Sequence, residues 1–245
     1  VSKKVHIVVP MAGEGSRFAN AGYTVPKPFI EFNGKMMIEH VLDSLAREGA
    51  EYTVIIKQEF KDKHGEQLAK LQRDYGLKFV TVNGKMQGAA TTVMIIHKAL
   101  NNATPVLFAD CDNIFGEGVI NRFLDDALER KLEGSLLTFH STDPRYSFAK
   151  TDGEGRVVAM KEKEAISDHA ICGAYYFGKG EDFVDATITN VIYGAQQKGE
   201  YYMSGAYNPL LERGARVGIY EIGDDEWYCV GTPQQLDEHL EKTKR

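Results

Sequence analysis

Cysteine is scarce in this chain of 245 residues: Cys111, Cys172 and Cys229 stand far apart, and no CxxC pair occurs. An odd, scattered set excludes a disulfide framework and argues against a zinc site. It fits a reducing compartment. A basic excess is missing too. Lys and Arg number 29 against 35 Asp and Glu, for a net charge of -6. No broad positive field exists to draw in a nucleic-acid backbone. Long hydrophobic runs are also lacking. Nothing approaches the roughly 20 apolar residues of a membrane-spanning helix, and Val1–Pro10 holds too short an apolar run for a signal peptide. A cytoplasmic chain with no nucleic-acid or membrane partner is therefore expected. No pattern sets an oligomeric state. Repeats, linkers and low-complexity tracts are absent. What remains is ordinary for a globular protein: 43% hydrophobic and 26% charged residues. Small anionic substrates stay open, because a local cluster of Arg, Lys and a divalent cation overrides a mildly negative surface.

Strand and helix patterns alternate over the first half. Val5–Pro10 is a short β-branched run that ends abruptly in Met11-Ala12-Gly13-Glu14-Gly15, as a buried parallel strand entering a Gly-rich loop does. Helical spacing over Met36–Glu48 precedes Gly49; Tyr52–Lys57 reads as a strand and Lys61–Tyr75 as a helix. Lys78–Val82 (strand), Gly88–Leu100 (helix), Pro105–Ala109 (strand) and Gly116–Lys131 (helix) continue the series. Such alternation implies βαβ units and a largely parallel sheet, with the loops after the strands along one edge. Gly13–Gly15 and Asp110-Cys111-Asp112 both follow strands and should share that edge. After residue 133 the texture changes. Strands are expected at Ser135–His140, Ser147–Thr151, Arg156–Lys161, Ile171–Phe177 and Val217–Ile222. Helical segments are expected at Glu181–Gln197, Asn208–Glu212 and Pro233–Lys244. The simplest reading is one α/β domain over 1–245 with a Rossmann-like, mixed and mostly parallel central sheet flanked by helices. Residues 1–132 would form one half and 133–245 the other.

Gly13-Glu14-Gly15-Ser16-Arg17-Phe18 is followed by Pro26-Lys27-Pro28. Two glycines let backbone N–H groups approach an anion. Arg17 offers a planar fork suited to phosphate, and prolines on both sides of Lys27 fix the local backbone. Like charges 4 Å apart repel by about 4 kcal/mol at a surface-like dielectric, so a site that gathers a triphosphate and a phosphomonoester needs cations. Alone, Gly-x-Gly is equally a tight turn. A dinucleotide fingerprint is disfavoured by Phe18 in place of a third glycine, and a Walker loop by the lack of Gly-Lys-Ser/Thr. Asp110 and Asp112 follow a strand. Carboxylates there, near a phosphate loop, can hold Mg2+ that bridges to substrate phosphates; the plain alternative is an Asx turn capping the next helix.

The run Met11–Arg17 with Pro26-Lys27-Pro28 resembles the signature of the sugar-phosphate nucleotidyltransferases, or nucleotide-sugar pyrophosphorylases. The likeness extends along nearly the whole chain and is nearest to small members of bacterial capsule and lipopolysaccharide pathways, without the additional C-terminal β-helix domain. It implies a GT-A-like nucleotidyltransferase fold. It also implies that Met11, Ala12, Gly13, Glu14 and Gly15 bind the nucleotide, with Arg17 and Lys27 stabilising charge on the reacting phosphates. Asp112, in Asp112-Asn113-Ile114-Phe115, matches the metal-binding aspartate, with Asp110 as helper and Mg2+ as cofactor. A second metal aspartate is expected two residues before Gly231-Thr232, where Cys229 stands; a neutral thiol is a poor Mg2+ ligand, which leaves Asp224, Asp225 or Asp110 to compensate. Gln87, Gly88 and Ala89 resemble the base-binding loop. Glu162, Lys163, Gly173 and Glu200 match acceptor contacts, while the usual Thr-Asp after Glu200 is replaced by Met203-Ser204.

The function implied is transfer of a nucleoside monophosphate from an NTP to a sugar 1-phosphate or similar phosphomonoester. Alternatives are a cytidylyltransferase acting on phosphocholine or a phosphorylated amino-acid amide, a GT-A glycosyltransferase using Asp110-Cys111-Asp112, and a non-catalytic nucleotide-binding regulator. The late aromatics Tyr175, Tyr176, Tyr201, Tyr202, Trp227 and Tyr228 are read chiefly as packing, with a cage for a cationic acceptor as the other option.

Overall fold

A computed structural model of the chain describes residues 4–194, 196 and 199–243. Val1 to Lys3 of the opening segment, and the expected helix ends at Gln197 and Lys244, lie outside the described residues.

The first strand, β1 (His6–Met11), turns Ile7, Val9 and Met11 to one face and Val8 to the other, the two-residue period of a strand buried on both sides. Next come α1 (Ser16–Asn20), a 3-10 turn Lys27–Phe29, a short hairpin of β2 (Glu31–Phe32) and β3 (Lys35–Met36), and α2 (Met37–Ser44). β4 (Glu51–Lys57), α3 (Gln58–Lys63), α4 (Gly65–Tyr75) and β5 (Lys78–Val82) follow. Then come α5 (Ala89–Val93), a 3-10 turn Met94–Ile96, α6 (His97–Leu100), β6 (Val106–Ala109), β7 (Asn113–Phe115) and α7 (Val119–Glu129). The second half holds β8 (Gly134–His140), β9 (Ser147–Thr151), β10 (Val157–Glu162), β11 (His169–Phe177) and α8 (Gly180–Tyr193). It ends with a 3-10 helix Met203–Tyr207, α9 (Asn208–Glu212), β12 (Val217–Ile222), β13 (Trp227–Cys229) and α10 (Pro233–Thr243).

Nine strands form one sheet in the order β10-β9-β11-β6-β1-β4-β5, with β8 and β12 branching from β11. Following the pairings, seven of the nine run one way and only β10 and β11 run the other. This is the mixed, mostly parallel sheet flanked by helices that the alternating pattern predicted. Helices α2, α4 and α7 cover one face through Ile38, Leu42, Leu71 and Phe123. Helices α5 and α8 cover the other through Val93, Phe183 and Val184. A third cluster joins Phe18, Ile30, Phe32 and Met37 to Val230 and Leu236, packing the loop after β1 against the C-terminal segment. Among the described residues, no helix is long and apolar enough to cross a membrane.

Four expected helices are cut. The one expected over Glu181–Gln197 ends at Tyr193, where Gly194 turns extended at ψ 171°. Lys61–Tyr75 begins earlier, at Gln58, and breaks at His64, whose φ of -128° and ψ of 38° are not helical. The His64 ring lies 4.7 Å from Phe29, so packing overrides helix propensity there. Gly88–Leu100 becomes three short pieces. Its β-branched Thr91, Thr92 and Val93 are weak helix formers, and both threonine hydroxyls turn back to Gly88 O, at 3.1 and 2.8 Å. The helix expected to reach Glu48 stops at Ser44, whose hydroxyl donates to Val41 O at 2.7 Å.

Tyr207 pins the 3-10 helix beneath the sheet. It is fully buried, and its hydroxyl lies 2.8 Å from Tyr176 O and 3.1 Å from Ser135 O. Tyr207→Phe should lower stability by about 1–3 kcal/mol, the cost of stranding buried carbonyls. Urea unfolding should show this as a lower midpoint with an unchanged slope.

Candidate active site

Strands β1, β4, β5 and β6 are mutually parallel, so the loops after them gather along one edge, where open α/β sheets bind ligands. The loop after β1 carries Gly13 to Gly15 and starts α1, which Phe18 anchors in the third cluster. Lys27 begins a 3-10 turn after an extended Pro26, and buried Pro28 and Phe29 hold that turn down. A Cβ on Gly15 would sit 3.4 Å from Lys27 Cβ, so glycine loop and lysine pack directly on each other.

From there Lys27 Nζ donates to Asp112 Oδ2 at 2.7 Å, across 85 residues of sequence. Both side chains are largely buried, at 15% and 19% exposure. Burial opposes each charge more than any other single influence, and the partner's opposite charge, the hydrogen bond they share and lesser neighbouring charges together outweigh it. Lys27 is raised above the ordinary lysine value and Asp112 is held below the carboxylate range, with Arg17 adding to the latter effect. Asp112 is further fixed by its carbonyl, which accepts from Val230 N at 2.8 Å, beside the pairing of Cys229 with Asn113 between β13 and β7. Gly231 lies against the carboxylate, where a Cβ would come 2.6 Å from Asp112 Oδ2.

Asp110 behaves differently. Burial, then the charges of Asp112 and Glu162, push it up to about 8 against the pull of Lys27. It sits where the sheet forks. One edge of β11 pairs with β6 over Ala174–Phe177 and with β9 over Ala170 and Ile171. Between them Gly173, at φ 80°, makes an irregularity in β11. Its carbonyl accepts from Asp110 N at 2.9 Å, and a Cβ at Gly173 would come 2.6 Å from Asp110 Oδ2 and collide with the Asn113 amide. Only glycine tolerates both that φ and that contact.

On the far side of the fork, Glu162 accepts from the Ser147 hydroxyl, its cross-strand partner in β9, and from Ser204 Oγ at 3.0 Å. Its carboxylate is 7% exposed. Lys163 turns away at φ 57° and donates to Tyr202 OH at 3.1 Å, its ammonium 4.8 Å from that ring's centre.

The sheet edge thus brings Gly15, Lys27, Asp112, Asp110 and Gly173 together, with Arg17 and Glu162 within electrostatic reach. Met11 and Ala12 are buried in β1 and just after it and offer only backbone. Glu14 pairs with Lys57 at 3.0 Å. Gln87, Gly88 and Ala89 follow β5 on the same edge. Glu200 instead lines a cavity of about 580 Å³ with Asn190, Tyr201 and Tyr202, apart from the aspartates. The Cys229 thiol is pushed up to about 12 by burial and by Asp112 and stays neutral. Asp224 faces a cleft with Tyr146 and His239, and Asp225 folds back over Gly223. Among the described residues, no three His, Cys, Asp or Glu side chains converge as a preformed metal site. The oxygen donors beside Lys27 are the Asp112 and Asp110 carboxyls. Of the late aromatics, Tyr175, Tyr176 and Trp227 are buried packing residues. Ser147 was not predicted, and Tyr202 and Ser204 were noted only as a late aromatic and as part of the altered Met203-Ser204 pair; their bonds to Lys163 and Glu162 depend on cross-strand register and on the return of the 200–204 segment.

The nucleotidyl transferase family model matches residues 7–245. The bifunctional protein GlmU of Clostridium beijerinckii is 26% identical, over 97% of this chain and 51% of its own length. The mannose-1-phosphate guanylyltransferase of Mycobacterium tuberculosis is 26% identical, over 95% of this chain and 63% of its own. This chain spans about half the length of the GlmU relatives it matches. Among solved structures, a nucleoside-diphosphate-sugar pyrophosphorylase from Vibrio cholerae RC9 superposes with a TM-score of 0.79 at 24% identity, covering 96% of this chain and 99% of that one; the likeness is one of fold.

The ion pair has a pH signature. Asp112, depressed in the folded state, contributes stability that is fully present above its unfolded value near 3.9 and is lost as pH falls through the folded value. Lys27, raised, loses its share only at strongly alkaline pH. With chelator present, Lys27→Met should be about 3 kcal/mol less stable than wild type at pH 7, near the low end for breaking a buried pair because both groups keep some solvent. The gap in urea unfolding should narrow steadily below about pH 4.

Proposed function

The chain belongs to the nucleotidyl transferase family, and on that footing we propose that it transfers a nucleoside monophosphate from an NTP to a sugar 1-phosphate or similar small phosphomonoester, releasing pyrophosphate. The observation that carries this reading is the 2.7 Å contact between Lys27 and Asp112. It places the glycine loop, a buried cation and an ionised carboxylate at one point of the sheet edge. Residues 1–132 would serve the nucleotide and 133–245 the acceptor.

Mg2+ fits the donor set. That ion takes hard oxygen ligands and is commonly held by one or two carboxylates plus substrate phosphates, so a three-residue cage is not needed. Asp112 supplies an ionised carboxylate, Gly231 leaves room against it, and Asp110 is a second donor once deprotonated. Cys229, as a neutral thiol, adds nothing to a magnesium site. Bound at Asp112, the ion would neutralise charge on the triphosphate and orient it.

The remaining work falls to the chain's own groups. Backbone N–H groups of Gly13 to Gly15 and the Arg17 guanidinium bind the triphosphate. Lys27 exchanges its bond to Asp112 for the reacting phosphates. An oxygen of the acceptor phosphate attacks the α-phosphorus in line, and the bond to the β-phosphate oxygen breaks as pyrophosphate leaves. No covalent enzyme intermediate or proton transfer is required, so catalysis is positioning plus electrostatics. Lys163 faces the acceptor phosphate, and Glu162 accepts from acceptor hydroxyls. A non-sugar acceptor such as phosphocholine or a phosphorylated amino-acid amide would use the same phosphate contacts.

A screen of four NTPs against a panel of phosphomonoesters, read as Mg2+-dependent pyrophosphate release, tests the proposal. One productive pair is expected; silence across the panel sinks it. With that pair, Lys27→Ala should lower kcat by about 10²–10³-fold, the cost of losing one electrostatic stabiliser, with KM values changed only a few-fold. Steady-state kinetics at saturating Mg2+ would show it.

A further inference from the structure

One short segment touches both substrate sides of the proposed site. Tyr201 N donates to Gln87 O at 2.7 Å, and Ala90 N donates to Tyr201 O at 3.2 Å. The backbone at 201 is therefore clipped onto the loop after β5, where the nucleotide base is proposed to lie. The next residue, Tyr202, takes the Lys163 ammonium on its hydroxyl and near its ring face. Two residues on, the Ser204 hydroxyl donates to Glu162 Oε2. Tyr207 then ties the segment's far end to β8 and β11.

Gly88 shows how tight the clip is. Its φ is 110°, and a Cβ there would run into the Tyr201 carbonyl and lie 2.7 Å from Tyr201 N. Ser204, 3% exposed, and Ser147, 7% exposed, occupy the buried approaches to Glu162. With Oε2 taken by two hydroxyls, the carboxylate has one orientation, and Oε1 is left as its free acceptor. Lys163 Nζ lies 4.0 Å from that oxygen, too far for a hydrogen bond, and is drawn to Tyr202 instead. Carboxylate and ammonium are thus held side by side as a loose ion pair with no hydrogen bond between them.

We propose that Tyr201 to Ser204 form a strap whose Ser204 and Tyr202 are positioning residues for the acceptor, acting through Glu162 and Lys163, and whose backbone ties that pair to the base loop at Gln87–Ala90. This rests on the reading of the chain as a nucleotidyltransferase with Glu162 and Lys163 at the acceptor. The strap sets the acceptor's distance from the nucleotide, because one stretch of four residues is hydrogen-bonded to both sides. A hydrogen bond to a charged group that is lost or misaimed is worth roughly a tenfold change in affinity.

The test uses the full chain and the substrate pair returned by the pyrophosphate screen. Ser204→Ala and Tyr202→Phe should each raise acceptor KM about tenfold and leave NTP KM within about twofold. Ser204→Thr, which keeps the hydroxyl, should stay near wild type, a rescue that a purely packing role would not give. Gly88→Ala should raise acceptor KM even at saturating NTP, whereas a residue serving only the base would move NTP KM alone. Tyr202→Phe removes one oxygen from a partly exposed ring and keeps the test informative if Ser204→Ala misfolds. Acceptor KM values unchanged in Ser204→Ala and Tyr202→Phe, with wild type active, overturn the strap alone. A wild-type chain that turns over no pair overturns the underlying reading and the strap with it.

Discussion

The site is organised by a lysine and an aspartate that share a buried hydrogen bond, Lys27 to Asp112. Neither charge is stable alone at that depth. Taking an ion out of water costs several kcal/mol even after relaxation, and each partner offsets the other's cost. The requirement propagates outward. Lys27 must be held by a turn that cannot drift, which Pro26, Pro28 and the buried Phe29 ensure. Asp112 must be held by a second element, which the β7–β13 ribbon provides. The third hydrophobic cluster then locks these supports together, because Val230 packs with Phe18 and Ile30.

The fork in the sheet is the second constraint. One edge of β11 runs against β6 over Ala174–Phe177 and against β9 at Ala170 and Ile171. At the changeover, Gly173 gives up regular pairing and lets Asp110 and Asn113 crowd in. A continuous sheet would bury such carboxyls among apolar side chains. The fork lets Asp110 and Asp112, from the connection between β6 and β7, approach Glu162 at the end of β10 while their backbones stay bonded. The cost is a high proton affinity for Asp110, since burial and two neighbouring carboxylates all oppose its charge.

Much of the first half was legible in the sequence. β5 (Lys78–Val82) appears where the β-branched pattern put it, and β1 within a residue, because buried parallel strands leave short apolar runs with clear stops. The common edge for the glycine loop and the aspartates also followed, since parallel strands put their exits on one side. Helix interiors were less legible. His64 looks like an ordinary helix residue until its ring is seen against Phe29, and Thr91 and Thr92 return hydroxyls to Gly88 in a way that propensity does not register. The small ribbons β2–β3 and β7–β13 left no periodic trace, being two or three residues long. Glu162 was singled out by likeness, but its bonds to serines were not foreseen: Ser147 reaches it by cross-strand register and Ser204, noted only as part of an altered pair, by a return 42 residues later.

By itself the sequence determined the class of fold, the order of its longer elements and the kinds of group brought to the edge: a glycine loop, cations and strand-end carboxylates. Those depend on local rules, namely side-chain periodicity, turn chemistry and the handedness of βαβ crossovers. Only the tertiary structure decided which groups share charge. Lys27 and Asp112 lie 85 residues apart, Asp110 takes its proton affinity from burial and from Asp112 and Glu162, and Lys163 gives its hydrogen bond to Tyr202, 39 residues on, and keeps only a 4.0 Å ion pair with its own neighbour Glu162. Electrostatic energy in a folded protein depends on distance and on the loss of water, and neither is a property of any one residue's place in the chain.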